Sequence, residues 1–560
     1  MKRNIVLYRM CLLLLVVTCI SVSGRALSNT VFALQQQRVS VSGLVVDESG
    51  EGLIGASVAE VGTNNRAVTD LNGRFTLSVT PHAVLEFKYV GYETLKISAS
   101  KDMHVVLKAE QTNLNEVVVV GYGTQKKASV VGSITNIEPG KLSMSSSRSM
   151  SNSFAGLAPG IIAVQRSGDP WSNNSDFWIR GLSSFAGNTR PLVLIDGIER
   201  SINDIDPDEV ASFSILKDAA ASAVYGVRGA NGVIMVETKR GNIGKPKVSV
   251  RVEHALSQPV KKPDYVGSVK YLELINEMYA QEGKSPFVSD ATLNNYRDQT
   301  DPELYPDINW WNTISKNHAD NTRATLSVNG GSKTLRYALV AGYYNENGIL
   351  VRDKSKEWDS SLKVDRYTVR SNVDINLTNS TVLRINIGGY LQSRNAPPGD
   401  ITNKTVFYNA MRVPPYIHPA IYSDGRIPKV TYKENPWSAL TQRGYEKLNH
   451  SNIEALTSLE QDLKFITPGL SMKLTYSFDK FSANSVTRAK NPDYYNPAAG
   501  RDYSGRLITT IQSNGEQFLG YKKDAEWGNQ SVYLEAMLGY NHTFAQKHML
   551  NAMLLYNHKN

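Results

Sequence analysis

The sequence predicts an exported, mainly β chain of several folded units that ends in a long series of antiparallel β-hairpins. Three observations predict it. Lys2, Arg3 and Arg9 flank the approach to an apolar run from Met10 to Ile20, the layout of an export signal. Short runs with Gly, Asn and Asp turns follow up to about residue 108, the spacing of a small β-sandwich. Beyond Gly244, apolar and polar residues alternate over segments of strand length, with the period of two that marks a sheet with two unlike faces.

At 560 residues the chain is too long for one ordinary domain. The export segment spans residues 1–33, closing on the small-residue pattern Val31-Phe32-Ala33. Its apolar run is too short for a spanning anchor. Both cysteines, Cys11 and Cys19, fall inside it, so cleavage leaves no thiol for disulfides or Cys-ligated metals. Val16-Val17-Thr18 before Cys19 departs from a lipoprotein cleavage context. The formal charge of +9 is spread along the chain without blocks, which argues against nucleic acid as a partner.

Residues 37–108 read as the β-sandwich, with Phe75, Leu77 and Val79 on one face of a strand and Val84 to Val90 continuing the pattern. Asp70-x-Asn72-Gly73 opens like a calcium loop, but glycine comes at the fourth position and Pro81 stands at the twelfth, where such a loop needs glycine at the sixth and glutamate. A turn is expected there. The stretch Val41-Ser42-Gly43 to Asp47, Gly55 to Val58, Thr69 to Phe75 and Tyr89-Val90-Gly91-Tyr92 resembles the carboxypeptidase-regulatory-like domain, a name that implies no peptidase.

Residues 114–127 hold Glu116-Val117-Val118-Val119-Val120-Gly121-Tyr122-Gly123. Four successive β-branched residues are stiff and extended, and such a strand can dock by β-augmentation on a partner that then pulls it. The residues alone also fit a buried strand. The segment resembles the TonB box of the family described next, which implies TonB with ExbB-ExbD as partners.

Residues 128–241 carry Phe154-Ala155-Gly156-Leu157, Trp178-Ile179-Arg180-Gly181, Pro191 to Ile198 with Asp196-Gly197, and Ile205 to Gly226 with Leu216-Lys217-Asp218 and Tyr225-Gly226, continued by Gly229 and Gly232. In order and spacing these resemble a TonB-dependent receptor plug, and the last run resembles the signature region of the SusC/RagA family. Pro207-Asp208-Glu209 is expected to open a helix, Leu216 to Tyr225 to be helical, and Val193 to Ile195 and Val233 to Val236 to be buried strands of a mixed α/β domain. Gly226, Gly229 and Gly232 do not fit G-x-G-x-x-G and follow the expected helix. Arg180 and Asp196 are candidates for a buried pair, with a turn-capping role as the plainer reading. Gly168 to Asn174 departs from the plug pattern and suggests a loop facing substrate, with Trp171 stacking on a ligand or only filling the loop.

Residues 245–560 alternate in the manner of membrane-spanning strands: Ala324, Leu326 and Val328; Tyr367, Val369, Val373 and Ile375; Leu470, Met472, Leu474 and Tyr476. Tyr343, Tyr344, Tyr390 and Tyr540 are expected in interface girdles. At ~10 residues per strand the region supports about 12 to 14 strands, roughly half of the 22 of plugged transporters, and the ending Tyr556 to Asn560 lacks a final aromatic residue. An incomplete outer-membrane β-barrel is therefore expected.

No H-E-x-x-H, G-x-S-x-G, Walker loop or ligand-spaced histidine cluster occurs, so no catalytic residue, metal or cofactor is expected and an enzyme is not. His542 and His548 flank a hairpin turn and read as solvated. Trp310 and Trp311, with Trp358 and Trp437, are candidates for substrate contacts in outer loops or for interface anchors. The resemblance implies TonB-dependent import of an oligosaccharide or peptide across the outer membrane of a Gram-negative, Bacteroidota-like bacterium, in contact with outer-membrane lipid and with a SusD-like surface lipoprotein. Two alternatives stand beside it, a truncated inactive remnant and a signalling receptor.

Overall fold

The computed structural model describes residues 38–560 apart from 48–49, 90–91, 108–116, 121–122, 127–133, 158, 182–188, 219–221, 400–402 and 546–547. The export segment and Glu116, Gly121 and Tyr122 lie outside the described residues.

The first unit is a sandwich of β1 (Val39–Val46), β2 (Ser57–Glu60), β3 (Arg66–Val68), β4 (Arg74–Val79), β5 (Val84–Lys88), β6 (Leu95–Ser98) and β7 (Asp102–Val106). One sheet runs β4-β1-β7 and the other β3-β2-β5-β6. Phe75, Leu77 and Val79 alternate inward along β4, and Phe75 meets Phe87 edge-on at 5.5 Å in a core with Val41, Val45, Val58 and Leu85. In the Asp70 turn the carboxylate oxygen Oδ1 accepts from the backbone N–H of Asn72 (2.9 Å) and Arg74 (2.8 Å).

In the second unit β8 (Val117–Val120) and β9 (Gly123–Lys126) form a two-stranded sheet. A mixed domain follows. Its main sheet has the order β10-β15-β16-β13-β14, from β10 (Ile134–Ile137), β13 (Leu192–Ile195), β14 (Ile198–Glu199), β15 (Val210–Leu216) and β16 (Val233–Thr238), beside the hairpin of β11 (Ile161–Gln165) and β12 (Ser175–Ile179). All four residues of β13 are buried, and β13 runs parallel to β16 with Leu192 opposite Val233. Met150, Phe154, Ile195, Phe213, Ile215 and Ile234 fill the core.

The expected helix over Leu216 to Tyr225 is corrected at its start: Leu216 ends β15, paired with Ile134 on one side and Val233 on the other, so sheet pairing overrides local propensity there; residues 219–221 lie outside the described residues, and among the described ones Ser222 is helical and Ala223–Gly229 is a 3-10 stretch. Pro207–Glu209 is likewise a single 3-10 turn, capped by Asp206 accepting from Asp208 N, and it leads into β15.

The chain then builds an antiparallel wall from β17 (Gly244–Ser257), β18 (Ala319–Gly331), β19 (Leu335–Asn347), β20 (Lys363–Asn376), β21 (Thr381–Ala396), β22 (Gly444–Asp462), β23 (Leu470–Ala489), β24 (Trp527–Phe544) and β25 (His548–Lys559), in that order. These nine lie on one path of a ten-stranded sheet, and its end strands β17 and β25 do not pair with each other. The expected 12 to 14 strands are too many because strands reach 19 and 20 residues and because the long connections fold into a layer of their own. At one end the turns are short, as between β18 and β19 or β20 and β21. At the other end lie long segments with α1 (Ser268–Gln281), α2 (Asp290–Asp298), α3 (Trp310–Ile314), α4 (Asn403–Arg412) and α5 (Pro436–Thr441). The pattern of short and long connections is that of an outer-membrane barrel.

Burial in the wall is inverted. On β20, Tyr367 and Val369 are 57% and 50% exposed, whereas Arg366, Arg370 and Asn372 are 4%, 3% and 2% exposed. Neighbouring strands repeat it: Ile387, Leu391 and Ile453 face out while Asn386, Gln392 and Glu454 are buried. A water-soluble sheet does the reverse, whereas a wall with lipid outside and polar groups inside requires this arrangement. Of the tyrosines expected in girdles, Tyr344 and Tyr390 instead point inward and are buried. Tyr343 pairs with Tyr367 across strands at 5.0 Å.

The sandwich holds a buried carboxylate, Glu60, 3% exposed. Its oxygens accept from Asn65 Nδ2 (2.8 Å), Thr80 Oγ1 (2.5 Å) and Thr80 N (3.0 Å). The Asn65 bond first, then the two from Thr80, lower its pKa from 4.5 to about 2, since bonds to the ionised form favour it. The stabilisation is therefore present above the unfolded value near 4.5 and is lost as pH falls toward 2. Thermal unfolding of the isolated sandwich between pH 6 and pH 2.5 should show a falling midpoint that Glu60→Gln flattens, and a wild-type midpoint independent of pH over that range would contradict it.

Candidate functional site: a charged seat between the mixed domain and the wall

The inward wall residues are charged and the mixed domain supplies their partners. At the centre, Arg370 Nε on β20 lies 2.7 Å from Glu209 Oε2 of the mixed domain, and its Nη2 lies 2.8 Å from Glu454 Oε2 on β22. Arg200, from the mixed domain, approaches Glu454 at 3.5 Å and binds Asp479 on β23 through two parallel bonds of 2.8 and 2.7 Å. The series Glu209, Arg370, Glu454, Arg200, Asp479 thus alternates in charge and crosses between domain and wall. Glu209, Arg370 and Glu454 are 2–3% exposed. Burial pushes the Glu209 carboxyl up to about 7 and the Arg370 guanidinium pulls it back, so its ionised form depends on Arg370 staying in place.

Around this centre the wall's guanidiniums and amides cap carbonyls of the mixed domain. Arg323 Nη2 donates to Ser147 O (2.7 Å), Arg366 to Asn203 O (3.1 Å) and Asp204 O (2.7 Å), and Asn372 to Lys239 O (2.7 Å). At the junction with β17, Arg240 Nη1 lies 2.7 Å from Asp374 Oδ1.

Asp196 and Gly197 form the two-residue turn from β13 to β14, at φ 50° and 85°, the left-handed pair that such a hairpin needs. The Asp196 carboxylate accepts from Thr238 N (3.0 Å) and Thr238 Oγ1 (2.7 Å), and Asn386 of the wall reaches it at 3.3 Å. Arg180 is exposed at φ 57°, so of the two residues named as candidates for a buried pair only Asp196 is engaged across the domain, through Thr238. Gly181 follows Arg180 in the same left-handed region. Lys217 donates to Pro159 O, and Asp218 O accepts from Ser222 N (3.1 Å). Tyr225 OH donates to Met235 Sδ (3.8 Å), and Gly226 and Gly229 lie in the 3-10 stretch. At Gly232 a Cβ would stand 2.8 Å from Ile179 Cδ1 and 3.1 Å from Leu216 O, so only glycine lets β16 enter beside β12 and β15. The signature residues therefore shape the mixed domain and expose no reactive group.

Trp171 is held by the wall, edge-on to His450 at 4.7 Å and 5.4 Å from the Arg394 guanidinium. Trp310, 2% exposed, fills a core of the long-loop layer with Ile314, Leu350, Val406 and Leu440, which corrects its expected substrate contact: the ring is consumed by packing. Trp311 stacks on Phe407 at 4.4 Å. The charged seat is what sequence reading missed, because Glu209 and Arg370 are 161 positions apart.

Removing Arg370 leaves Glu209 and Glu454 buried with a charge uncompensated, at a cost of about 3–5 kcal/mol. Arg370→Met should lower the denaturant midpoint of the folded protein strongly at pH 8 and less at pH 5, because a carboxyl whose pKa is raised is neutral below that value. A loss that is equal at both pH values would contradict the sign.

A TonB-dependent Receptor Plug Domain matches residues 126–233, and a CarboxypepD_reg-like domain matches residues 41–119. The TonB-dependent receptor SusC of Bacteroides thetaiotaomicron is 30% identical over 354 residues, 61% of this chain and 33% of that protein. A TonB-dependent receptor of Formosa agariphila is 29% identical over 500 residues, 86% of this chain and 47% of that protein. The chain thus spans about half the length, or less, of these relatives. Among solved structures, the RagAB peptide importer in its open-open state gives a TM-score of 0.62 at 19% identity, over 79% of this chain and 48% of the other. The chain thus carries a TonB-dependent receptor plug domain and a CarboxypepD_reg-like domain, is similar over part of its length to TonB-dependent receptors that include SusC, and has a fold like that of the RagAB peptide importer.

Proposed function

We propose that the chain is the plug-bearing part of an importer that carries a nutrient, an oligosaccharide or a peptide, across the outer membrane of a Bacteroidota-like bacterium. On this reading residues 37–108 are the periplasmic sandwich, 114–127 the TonB box, 128–241 the plug and 245 onward the wall. The observation that carries it is the charged seat. A domain held on the polar face of a lipid-facing wall by buried pairs, each costing about 3–5 kcal/mol to break by losing one partner, does not leave its seat often without an external pull.

The means of pulling is β8. Val117–Val120 pairs with β9 on one edge and with no other described strand, leaving main-chain groups for a partner strand to engage. TonB, energised by ExbB-ExbD, is the partner this reading assigns, with a SusD-like lipoprotein at the long-loop end. The relatives' printed description as TonB-dependent receptors supports the TonB assignment.

Deleting Glu116 to Val120 is expected to abolish energised uptake while the amount of protein in the outer-membrane fraction is unchanged. Uptake that survives the deletion would discard the proposal.

A further inference from the structure

The outer face of the wall changes character along β22 and β23. On β23 Leu474 and Tyr476 are exposed while Thr475 and Ser477 between and beyond them are buried, so the outward positions from Met472 to Phe478 are apolar or aromatic. From Lys480 toward the long-loop end the same face turns polar: Ser451 stands opposite Ser482 and Asn449 opposite Asn484, with the two amides joined at 3.2 Å. Lys480 lies about ten positions above Leu470, where the strand begins. At ~3.3 Å per residue and a tilt of ~40° that is about 25 Å, the height of the apolar band of an outer-membrane wall. Lys480 therefore marks the boundary between hydrocarbon and headgroups on the long-loop side.

Above that boundary the face is basic. Lys447 on β22 and Lys523, in the two-residue strand Lys522–Lys523, both stand opposite Val486 of β23, one on each side. Two positions on, Arg488 holds its guanidinium 4.4 Å from the centre of the Tyr521 ring. Other lysines of this region have carboxylate partners, Lys363 with Asp365 at 3.1 Å and Lys522 with Asp524 at 2.9 Å. Lys447, Lys480 and Lys523 are exposed, and neither they nor Arg488 forms an ion pair with a described residue. Even with Glu526, which is exposed beyond Lys523, the patch keeps an excess of positive charge.

We propose that this patch is a docking surface for an anionic glycolipid of the outer leaflet, with phosphates at Lys480 and at the row of Lys447 and Lys523, and acyl chains along Tyr476 and Phe478. The inference goes beyond import and rests on that reading only for the membrane in which the wall stands. Lipid is the occupant because the cations continue the lipid-facing strip of the same two strands, and a basic cluster at the edge of hydrocarbon attracts anionic headgroups. The headgroup class follows from the spacing. Lys480 and the upper row lie about six positions apart on β23, ~20 Å of strand, so a headgroup with one phosphate answers one end only. A saccharide with anionic groups at both ends answers both, and its hydroxyls face the serine and asparagine side chains between, which donate and accept.

The test titrates the full chain in detergent with a bisphosphorylated glucosamine-disaccharide lipid, the same lipid without its phosphates, and phosphatidylglycerol, and counts bound lipid by native mass spectrometry. The bisphosphorylated lipid should bind about tenfold or more tighter than either of the others, and inorganic pyrophosphate at equal concentration should not displace it. Changing Lys447, Lys480, Arg488 and Lys523 together to Gln should abolish the preference, whereas Lys333→Gln with Lys464→Gln, exposed on the short turns, should leave it intact. The comparison of the three lipids on the unaltered chain decides the matter even where the fourfold variant does not fold. Equal binding of the phosphorylated and dephosphorylated lipids, phosphatidylglycerol held as tightly, displacement by pyrophosphate, or a preference kept in the fourfold variant would each overturn the inference. Its failure is distinguishable from failure of the import reading: energised uptake by a chain with no preference for the bisphosphorylated lipid keeps import and removes the patch.

Discussion

The wall of this protein buries its charges and exposes its hydrocarbon, and every other feature follows from that inversion. Arg366, Arg370, Asn372 and Glu454 cannot remain on an inner face without partners, since an ion taken out of water costs several kcal/mol unless it is paired and hydrogen-bonded. The mixed domain answers them with Glu209, Arg200 and a series of backbone carbonyls. Domain and wall therefore complete one another: Arg370 pairs with Glu454 within the wall, but its second carboxylate, Glu209, and the second partner of Glu454, Arg200, come from the mixed domain.

Such an interface has a particular mechanical character. Hydrophobic contact tolerates sliding, but alternating buried charges have one register, and a displaced pair exposes a bare charge to a site that water fills only after movement has begun. The Asp196 turn adds a second link of the same kind, tying two strands of the domain through Thr238 while Asn386 of the wall reaches the same carboxylate.

Much of the fold was legible because strand side chains alternate with an exact period of two. Tyr367, Val369 and Val373 could be assigned to one face of β20 without knowing what touched them. The same rule exposes an error in the tyrosine girdle: Tyr343 and Tyr344 are adjacent, so only one can face lipid, and Tyr344 turns inward to donate to Ser146 O. Leu216 was misread as helical because alanine-rich sequence states a local preference, whereas its two sheet partners, Ile134 and Val233, lie elsewhere in the chain. The helical layer between β17 and β18 was passed over although Leu272, Leu293 and Tyr296 mark its core; short helices in a hairpin-rich region lack the length that makes a period of 3.6 stand out. The charged seat had no local signal at all.

The inversion itself is open to direct measurement. Cys11 and Cys19 are the sequence's two cysteines, so with both replaced by serine single cysteines placed from Arg366 to Asp374 can be spin-labelled in membranes and their collisions with oxygen and with a water-soluble nickel complex compared. The account predicts alternation, with positions 367, 369, 371 and 373 favouring oxygen, as lipid contact requires, and positions 366, 368, 370, 372 and 374 shielded from it. Labels at 367 and 369 that meet the nickel complex as readily as oxygen would contradict it.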